Sequence, residues 1–166
     1  ELRELGIAHV VMLTGDNEAT AQAIAREVGI DEVRAGLLPA DKLEAVRALV
    51  EKHGSVAMVG DGVNDAPALA AATVGVAMGA AGTDAAIETA DVALMTDDLS
   101  RLPWLVRHSR RTMAIIRQNV AFSLAVKAVF MVLAALGYSP MWLAILADTG
   151  ASLAVVANGL RLLQGE

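Results

Sequence analysis

Short apolar runs alternate with helical patterns over the first part of the chain. A continuous apolar run from Ala8 to Leu13 leads into a polar turn, as expected of a buried strand. Glu18 to Val28 then carries apolar residues at helical spacing, with Gly29 as a C-cap. A second helical pattern opens at Pro39 and closes at Gly54. The alternation predicts βαβ units and a mostly parallel sheet.

Further strands are predicted between and after these helices. They are Glu32 to Leu37, Ser55 to Val59, Val74 to Met78 and Val92 to Met95, with a helix near Asp84 to Thr89. Polar or glycine-containing segments separate the runs, and no internal repeat or low-complexity linker is visible.

Two long apolar runs follow, from Val120 to Leu136 and from Met141 to Leu160, with a turn at Gly137 to Pro140 between them. Each run approaches the roughly 20 residues that a helix needs to cross a bilayer. They therefore predict a transmembrane hairpin with a very short connection. The alternative is a buried helical hairpin in a soluble protein, and the arginines that adjoin the first run make it less favourable.

Charge is distributed unevenly along the chain. Acidic residues crowd the part before Leu99, and five arginines precede the first apolar run: Arg101, Arg107, Arg110, Arg111 and Arg117. Arg161 follows the second run, whereas the turn carries no charge. The positive-inside rule therefore places both ends of the hairpin, and the α/β part, in the cytoplasm. The formal net charge of -6 and the absence of a basic groove or aromatic platform speak against nucleic-acid binding.

These patterns divide the chain into three parts. Residues 1–98 form an α/β domain, residues 99–117 a basic helical connector, and residues 118–163 two transmembrane helices. Of the 166 residues, 55% are hydrophobic and 19% charged, whereas soluble domains are about a quarter charged. The sequence contains no cysteine, so it supplies neither a disulfide nor a thiolate ligand.

The most informative stretch runs from Met58 to Leu69, where a strand leads into an acidic, glycine-flanked loop and then an alanine-rich helix. Gly60 and Gly62 can adopt backbone angles closed to other residues and let a ligand approach the main chain. Asp61 and Asp65 supply carboxylates, the hard oxygen ligands that suit Mg²⁺. The helix N-terminus beyond favours an anion such as phosphate. A plain turn would explain Gly-Asp-Gly alone, but not the rest of the stretch.

Two earlier features point to the same chemistry. Thr14 follows the first strand, and Lys42 lies at the start of a helix. Phosphoryl transfer requires positioning and charge neutralisation, which a hydroxyl, a lysine and metal-binding carboxylates provide. Taken singly, Thr14 is a common turn residue and Lys42 a common solvated helix charge. Their order, together with Asp61, favours a phosphoryl site.

The sequence resembles the haloacid dehalogenase superfamily and, within it, the P-type ATPases. The resemblance rests on Thr-Gly-Asp-Asn, Pro-Ala-Asp-Lys and Gly-Asp-Gly-Val-Asn-Asp-Ala-Pro-Ala-Leu, which occur in the expected order. It implies a partial haloacid-dehalogenase-like α/β domain with a Rossmann-type parallel sheet. It also implies roles for the residues of these motifs. Thr14, with Gly15 and Asp16, would contact the phosphoryl group, Lys42 would stabilise it, Asp61 would bind Mg²⁺ beside Gly60 and Gly62, and Asn64 and Asp65 would complete the site.

The resemblance further implies parts that this sequence lacks. The family's nucleophile is the aspartate of an Asp-Lys-Thr-Gly-Thr motif, which does not occur here. The nucleotide-binding domain for ATP, the actuator domain and the earlier transmembrane helices would also lie upstream. The chain would then be the C-terminal portion of a pump in a bacterial plasma membrane, inactive alone, and lacking the central strand of its sheet.

The apolar hairpin carries two ionisable residues, and such residues inside a membrane are functional hypotheses by default. Asp148 would bind the transported ion, and a carboxylate suits Zn²⁺ and similar divalent ions better than Cu⁺. Its Asp-Thr-Gly-Ala context resembles the exporters of zinc, cadmium and lead. Lys127 lies at a similar depth and would act as a counter-ion to Asp148 once the ion has left.

The sequence therefore favours an ATP-driven exporter of Zn²⁺, Cd²⁺ or Pb²⁺. A P-type ATPase for another cation and a membrane-tethered phosphatase of the same superfamily remain alternatives. A degenerate chain that serves as an interaction module is a third. If the hairpin were only an anchor, Lys127 and Asp148 would cost considerable free energy inside the membrane and would have no role that explains them.

Overall fold

A computed structural model describes residues 1–62, 64–79, 88–138 and 141–163. It divides into two compact units, Glu1–Leu102 and Pro103–Glu166. The predicted helix near Asp84 to Thr89 lies almost entirely outside the described residues, as do Ser139 and Pro140 of the predicted turn.

The first unit alternates strands and helices, as the hydrophobic pattern predicts. Its strands are β1 (Val11–Leu13), β2 (Glu32–Arg34), β3 (Ala57–Gly60), β4 (Val74–Met78) and β5 (Val92–Leu94). Its helices within the described residues are α1 (Glu18–Val28), α2 (Pro39–His53) and α3 (Ala66–Ala71). The predicted strand at Ala8 to Leu13 is shorter in the structure, because only its last three residues pair with β2.

The strands of the described residues pair in parallel and form two separate sheets. One contains β1 and β2, and the other has the order β3-β4-β5. In the described residues no ladder joins β1 to β3, the strands that precede Thr14 and Asp61. The two sheets nevertheless share a core, because Leu13 of β1 packs against the cluster that contains Met58 of β3.

The ends of α1 and α2 are fixed by local hydrogen bonds. The side chain of Asn17 accepts from the N–H of Thr20, and Gly29 closes α1 in the left-handed region at φ 72°. The carboxylate of Asp41 accepts from the N–H of Leu38 at 2.9 Å and so caps α2. Satisfying these otherwise unpaired groups holds the start of each helix in place. The predicted caps at Gly29 and Gly54 are confirmed.

A cluster of buried apolar residues in the first unit lies between α2, α3 and β3. It contains Val46, Met58, Ala68 and Leu69. Val46 and Leu69 are each 1% exposed. Burying an aliphatic side chain of this size contributes about 1.5–3 kcal/mol. This cluster therefore fixes α2, which carries Lys42, against α3, which follows Asp65.

The second unit contains two long helices, α4 (Arg101–Ala135) and α5 (Met141–Leu160), of which α4 begins in the last residues of the first unit. Both are long and apolar enough to cross a membrane, and their most apolar windows are not buried by this chain. Large apolar side chains such as Leu124, Met131 and Val156 are more than half exposed. This exposure differs from that of a core helix in a soluble protein and agrees with the predicted transmembrane hairpin.

Candidate functional site

The Thr14 loop is a compact turn that is hydrogen-bonded to the segment that leads into α2. The N–H of Asp16 donates to Thr14 Oγ1 at 3.1 Å, and the Thr14 hydroxyl lies 3.1 Å from Asp16 Oδ2. The N–H of Leu37 donates to the Thr14 carbonyl at 3.0 Å, and the N–H of Gly36 donates to the Asp16 carbonyl at 2.8 Å. A Cβ on Gly15 would lie 3.3 Å from the Leu37 carbonyl oxygen. The loop position is thus coupled to the start of α2.

A contact between Lys42 and Asp65 joins the Pro-Ala-Asp-Lys motif to the Gly-Asp-Gly-Val-Asn-Asp motif. The ammonium Nζ of Lys42 lies 2.7 Å from Asp65 Oδ1, although the two residues are 23 positions apart. Their side chains are only 16% and 14% exposed. A charge-assisted hydrogen bond in such a setting is short and strong, so each group orients the other. The prediction that these motifs meet at one site agrees with this contact.

The loop after β3 depends on its two glycines for different reasons. A Cβ on Gly60 would lie 3.1 Å from Asp65 Oδ2, so the Asp65 carboxylate rests against the Gly60 backbone. Gly62 has φ 76°, in the left-handed region that favours glycine. Between them, the exposed residue Asp61 follows the end of β3, and Asn64 is exposed on the same loop. The glycines therefore allow the two aspartates to share one tight turn.

Asp61 and Asp65 are the carboxylates that this loop offers to Mg²⁺. Among the described residues no cluster of three or more His, Cys, Asp or Glu side chains is suited to a metal. Two carboxylates are nevertheless an adequate protein contribution, because Mg²⁺ usually retains water and takes further oxygens from a phosphate. Asp61 is exposed, whereas the Asp65 side chain is only 14% exposed and accepts from Lys42 with one oxygen.

The structure does not bring Lys127 and Asp148 into contact. Both side chains are exposed, on α4 and α5 respectively, and no salt bridge joins them in the part of the chain that is described. The Asp148 carbonyl accepts from the Ser152 hydroxyl at 2.9 Å, a bond within the helix. The assignments of Asp148 to the transported ion and of Lys127 as its counter-ion stay predictions.

Asn119, which was not predicted as a functional residue, links the two long helices. Asn158 Nδ2 donates to Asn119 Oδ1 at 2.8 Å, and Asn119 Nδ2 lies 3.4 Å from the Val155 carbonyl oxygen. The available signal was an amide side chain directly before the first apolar run and another, Asn158, within the second, since polar groups in such helices tend to find partners across the interface.

Known proteins similar to this chain agree with the predicted fold and family. Residues 1–73 match the family of haloacid dehalogenase-like hydrolases. The chain is 59% identical over 163 residues to a probable cadmium-transporting ATPase of Listeria monocytogenes, covering 98% of this chain and 23% of that protein. It is 52% identical over 164 residues to a zinc/cadmium/lead-transporting P-type ATPase of Escherichia coli K12, covering 99% of this chain and 22% of that protein.

Solved structures give the same result. A crystal structure of a zinc-transporting PIB-type ATPase matches with a TM-score of 0.84 and 54% identity, covering 92% of this chain and 25% of that one. A second crystal structure of a zinc-transporting PIB-type ATPase, in a different state, matches with a TM-score of 0.85 and 52% identity, covering 97% of this chain and 26% of that one.

The parallel sheets, the motif loops and the apolar hairpin are those of a haloacid-dehalogenase-like domain followed by two helices long and apolar enough to cross a membrane. More narrowly, the chain is homologous over almost its whole length to one part of P-type ATPases that transport cadmium, zinc or lead. It spans about a quarter or less of the length of these relatives.

Proposed function

We propose that this chain is part of an ATP-driven pump that exports Zn²⁺, Cd²⁺ or Pb²⁺ through an aspartyl-phosphate intermediate. The observation that carries the proposal is the contact between Lys42 and Asp65, which joins two phosphoryl-transfer motifs in a chain that also has an apolar hairpin. The cadmium- and zinc-transporting relatives support the choice of divalent heavy metals.

At the phosphoryl site, the Thr14 hydroxyl and the backbone of Gly15 would hold phosphoryl oxygens, and the Lys42 ammonium would offset their charge. Asp65 keeps Lys42 oriented before the phosphate arrives, which lowers the cost of organising the site during the reaction. Asp61 and Asp65 would hold Mg²⁺, which neutralises phosphate charge when bound. The nucleophilic aspartate and the ATP-binding domain would come from other parts of the complete protein.

At the membrane, Asp148 would bind the transported ion, with the remaining ligands from other helices. A carboxylate at that depth costs on the order of 3 kcal/mol to insert, so an ion or a cationic partner is expected to offset the charge. Lys127 would take that place after the ion leaves and would hinder its return. Residues 1–98 would serve as part of the phosphorylation domain, 99–117 as the connector and 118–163 as the transmembrane pair, with both ends cytoplasmic in a bacterial plasma membrane.

A membrane-tethered phosphatase is the competing function, and the metal-transporting relatives disfavour it. Reconstitution of the complete protein in liposomes separates the two. A pump hydrolyses ATP only when Zn²⁺, Cd²⁺ or Pb²⁺ is supplied, and it moves the metal across the bilayer. Hydrolysis of phosphate monoesters that is independent of heavy metal, without metal movement, would instead identify a phosphatase.

A further inference from the structure

A polar network joins α4 and α5 at the end of the hairpin that carries the arginines. Asn119 accepts from Asn158 Nδ2 at 2.8 Å, and its own Nδ2 lies 3.4 Å from the Val155 carbonyl oxygen. Arg161 Nη1 donates to Asn158 Oδ1 at 3.0 Å. In an apolar surrounding the amides have few other partners, so these contacts favour one position of α4 along α5.

The network lies on the seam between the two helices. The seam consists of half-buried residues at spacings of three and four: Asn119, Ser123, Val126 and Phe130 on α4, and Ala144, Ala147, Ala151 and Val155 on α5. This spacing keeps one face of each helix toward its partner. Small residues predominate on the α5 side and allow the helices to approach closely.

In the register seen at the Asn119–Asn158 contact, Lys127 and Asp148 lie at nearly the same depth. Lys127 lies eight residues after Asn119, and Asp148 lies seven residues before Val155. In an antiparallel pair of helices with a rise of about 1.5 Å per residue, a difference of one residue means that the two depths differ by only about 1.5 Å. If Asp148 is counted from Asn158 instead of Val155, the difference is two residues, or about 3 Å. The pair is therefore level, although its side chains are not in contact.

Lys127 and Asp148 also lie on the same side of the seam. Each directly follows a seam residue, Val126 on α4 and Ala147 on α5. One residue further along an α-helix is a rotation of about 100°. Because the helices run in opposite directions, that rotation carries both side chains to the same flank. A lysine side chain is long and flexible enough to reach a carboxylate placed in this way.

We propose that Asn119 is a positioning residue of the ion site: by holding Asn158 and the Val155 carbonyl, it fixes the register in which Lys127 can reach Asp148. The inference rests on the proposed roles of Lys127 and Asp148. Asn119 acts through Lys127, so its loss slows the step that Lys127 assists, without removing a ligand of the metal.

The test uses the complete pump with Asn119→Leu, Lys127→Ala and the double variant, and Gln118→Leu as the control on the exposed neighbouring position. Asn119→Leu should lower the metal-stimulated kcat about threefold, the effect expected from an average interhelical hydrogen bond. Metal binding should be retained, and Asn119→Gln should restore part of the rate. In the Lys127→Ala background Asn119→Leu should have no further effect, whereas a general structural role would give additive losses.

Cross-linking measures the register independently of activity. Ser123→Cys should form a disulfide with Ala151→Cys, which lies at equal depth, in preference to Ala147→Cys, which lies one helical turn away. The linked peptides are quantified by mass spectrometry. Asn119→Leu should reduce that preference. Should Asn119→Leu fail to accumulate in membranes, Asn158→Leu removes the same contact from the other helix and should give the same shift.

The possible failures are distinguishable. If Lys127→Ala and Asp148→Asn pump normally, the proposed roles of Lys127 and Asp148 at the ion site are wrong, and so is the positioning role of Asn119. The cross-linking preference still reports the register of the two helices in that case. Two outcomes would show that only the positioning role of Asn119 is wrong. In the first, Lys127→Ala slows turnover but Asn119→Leu changes neither kcat nor the cross-linking preference. In the second, the losses of kcat in the two single variants add in the double variant.

Discussion

The ammonium of Lys42 lies 2.7 Å from the carboxylate of Asp65, and both side chains are largely shielded from solvent. The contact ties the start of α2 to the loop after β3, so the residue that would stabilise the phosphoryl group and one that would hold Mg²⁺ form a single unit. A change at either residue should therefore affect both tasks.

Lys42→Met in the complete protein should reduce phosphoenzyme formation from ATP by about tenfold or more. The reason is that it removes the charge proposed to face the phosphate and leaves Asp65 without its partner, a cost of about 1–3 kcal/mol for a buried polar group. Acid-stable incorporation of γ-phosphate measures the effect. Lys52→Met changes an exposed lysine of the same helix and should leave phosphorylation intact. Equal loss in both variants would indicate general damage to α2.

Asp61→Asn should abolish formation of the aspartyl-phosphate, because the proposed Mg²⁺ site loses its exposed carboxylate. Asp65→Asn should impair formation to a smaller extent, since one oxygen of Asp65 is already engaged by Lys42. Phosphoenzyme levels titrated against Mg²⁺ separate the two variants. Normal levels in Asp61→Asn at low Mg²⁺ would refute the assignment of Asp61.

Gly60→Ala should raise the Mg²⁺ concentration needed for phosphorylation while the protein still folds. The added Cβ would lie 3.1 Å from Asp65 Oδ2, so the carboxylate must shift by a few tenths of an ångström. Gly159→Ala is the matched control, because no atom lies within 4 Å of its added Cβ. An unchanged Mg²⁺ dependence in Gly60→Ala would mean that the position of Asp65 is not critical.

Residues 1–98 expressed alone should not form a stable native sheet. The sheet is divided between β1 and β3, and the family resemblance implies a strand between them that this sequence does not contain. Unpaired apolar edges of this kind favour association over folding. Thermal unfolding and amide NMR measure the outcome, and a cooperative transition with dispersed amide resonances would contradict the prediction.

Local sequence signals predicted the elements well where caps define them. α1 begins at Glu18 and ends at Val28, as expected, because Asn17 and Gly29 fix its two ends. β1 is shorter than its apolar run because strand length depends on pairing, and β2 pairs with only three of its residues. Hydrophobicity along one segment carries no information about the length of its partner.

Contacts between segments distant in the sequence were harder to predict from the sequence. The motif order predicted that Lys42 and Asp65 serve one site, but the direct contact between them depends on how α2 packs against α3. Asn119 was missed because helix rotation and register arise from packing of the hairpin, and its apolar pattern is compatible with several rotations.

Metal-stimulated ATP hydrolysis by Asp148→Asn, measured with the complete protein in liposomes, tests whether Asp148 binds the transported ion. Stimulation by Zn²⁺ and Cd²⁺ should be lost in this variant. Asp31→Asn, which changes a surface residue paired with Arg3, should hydrolyse ATP and transport metal as before. Export of Zn²⁺ and Cd²⁺ at normal rates by Asp148→Asn, with only lower thermal stability, would contradict the ligand role and reduce Asp148 to a structural residue.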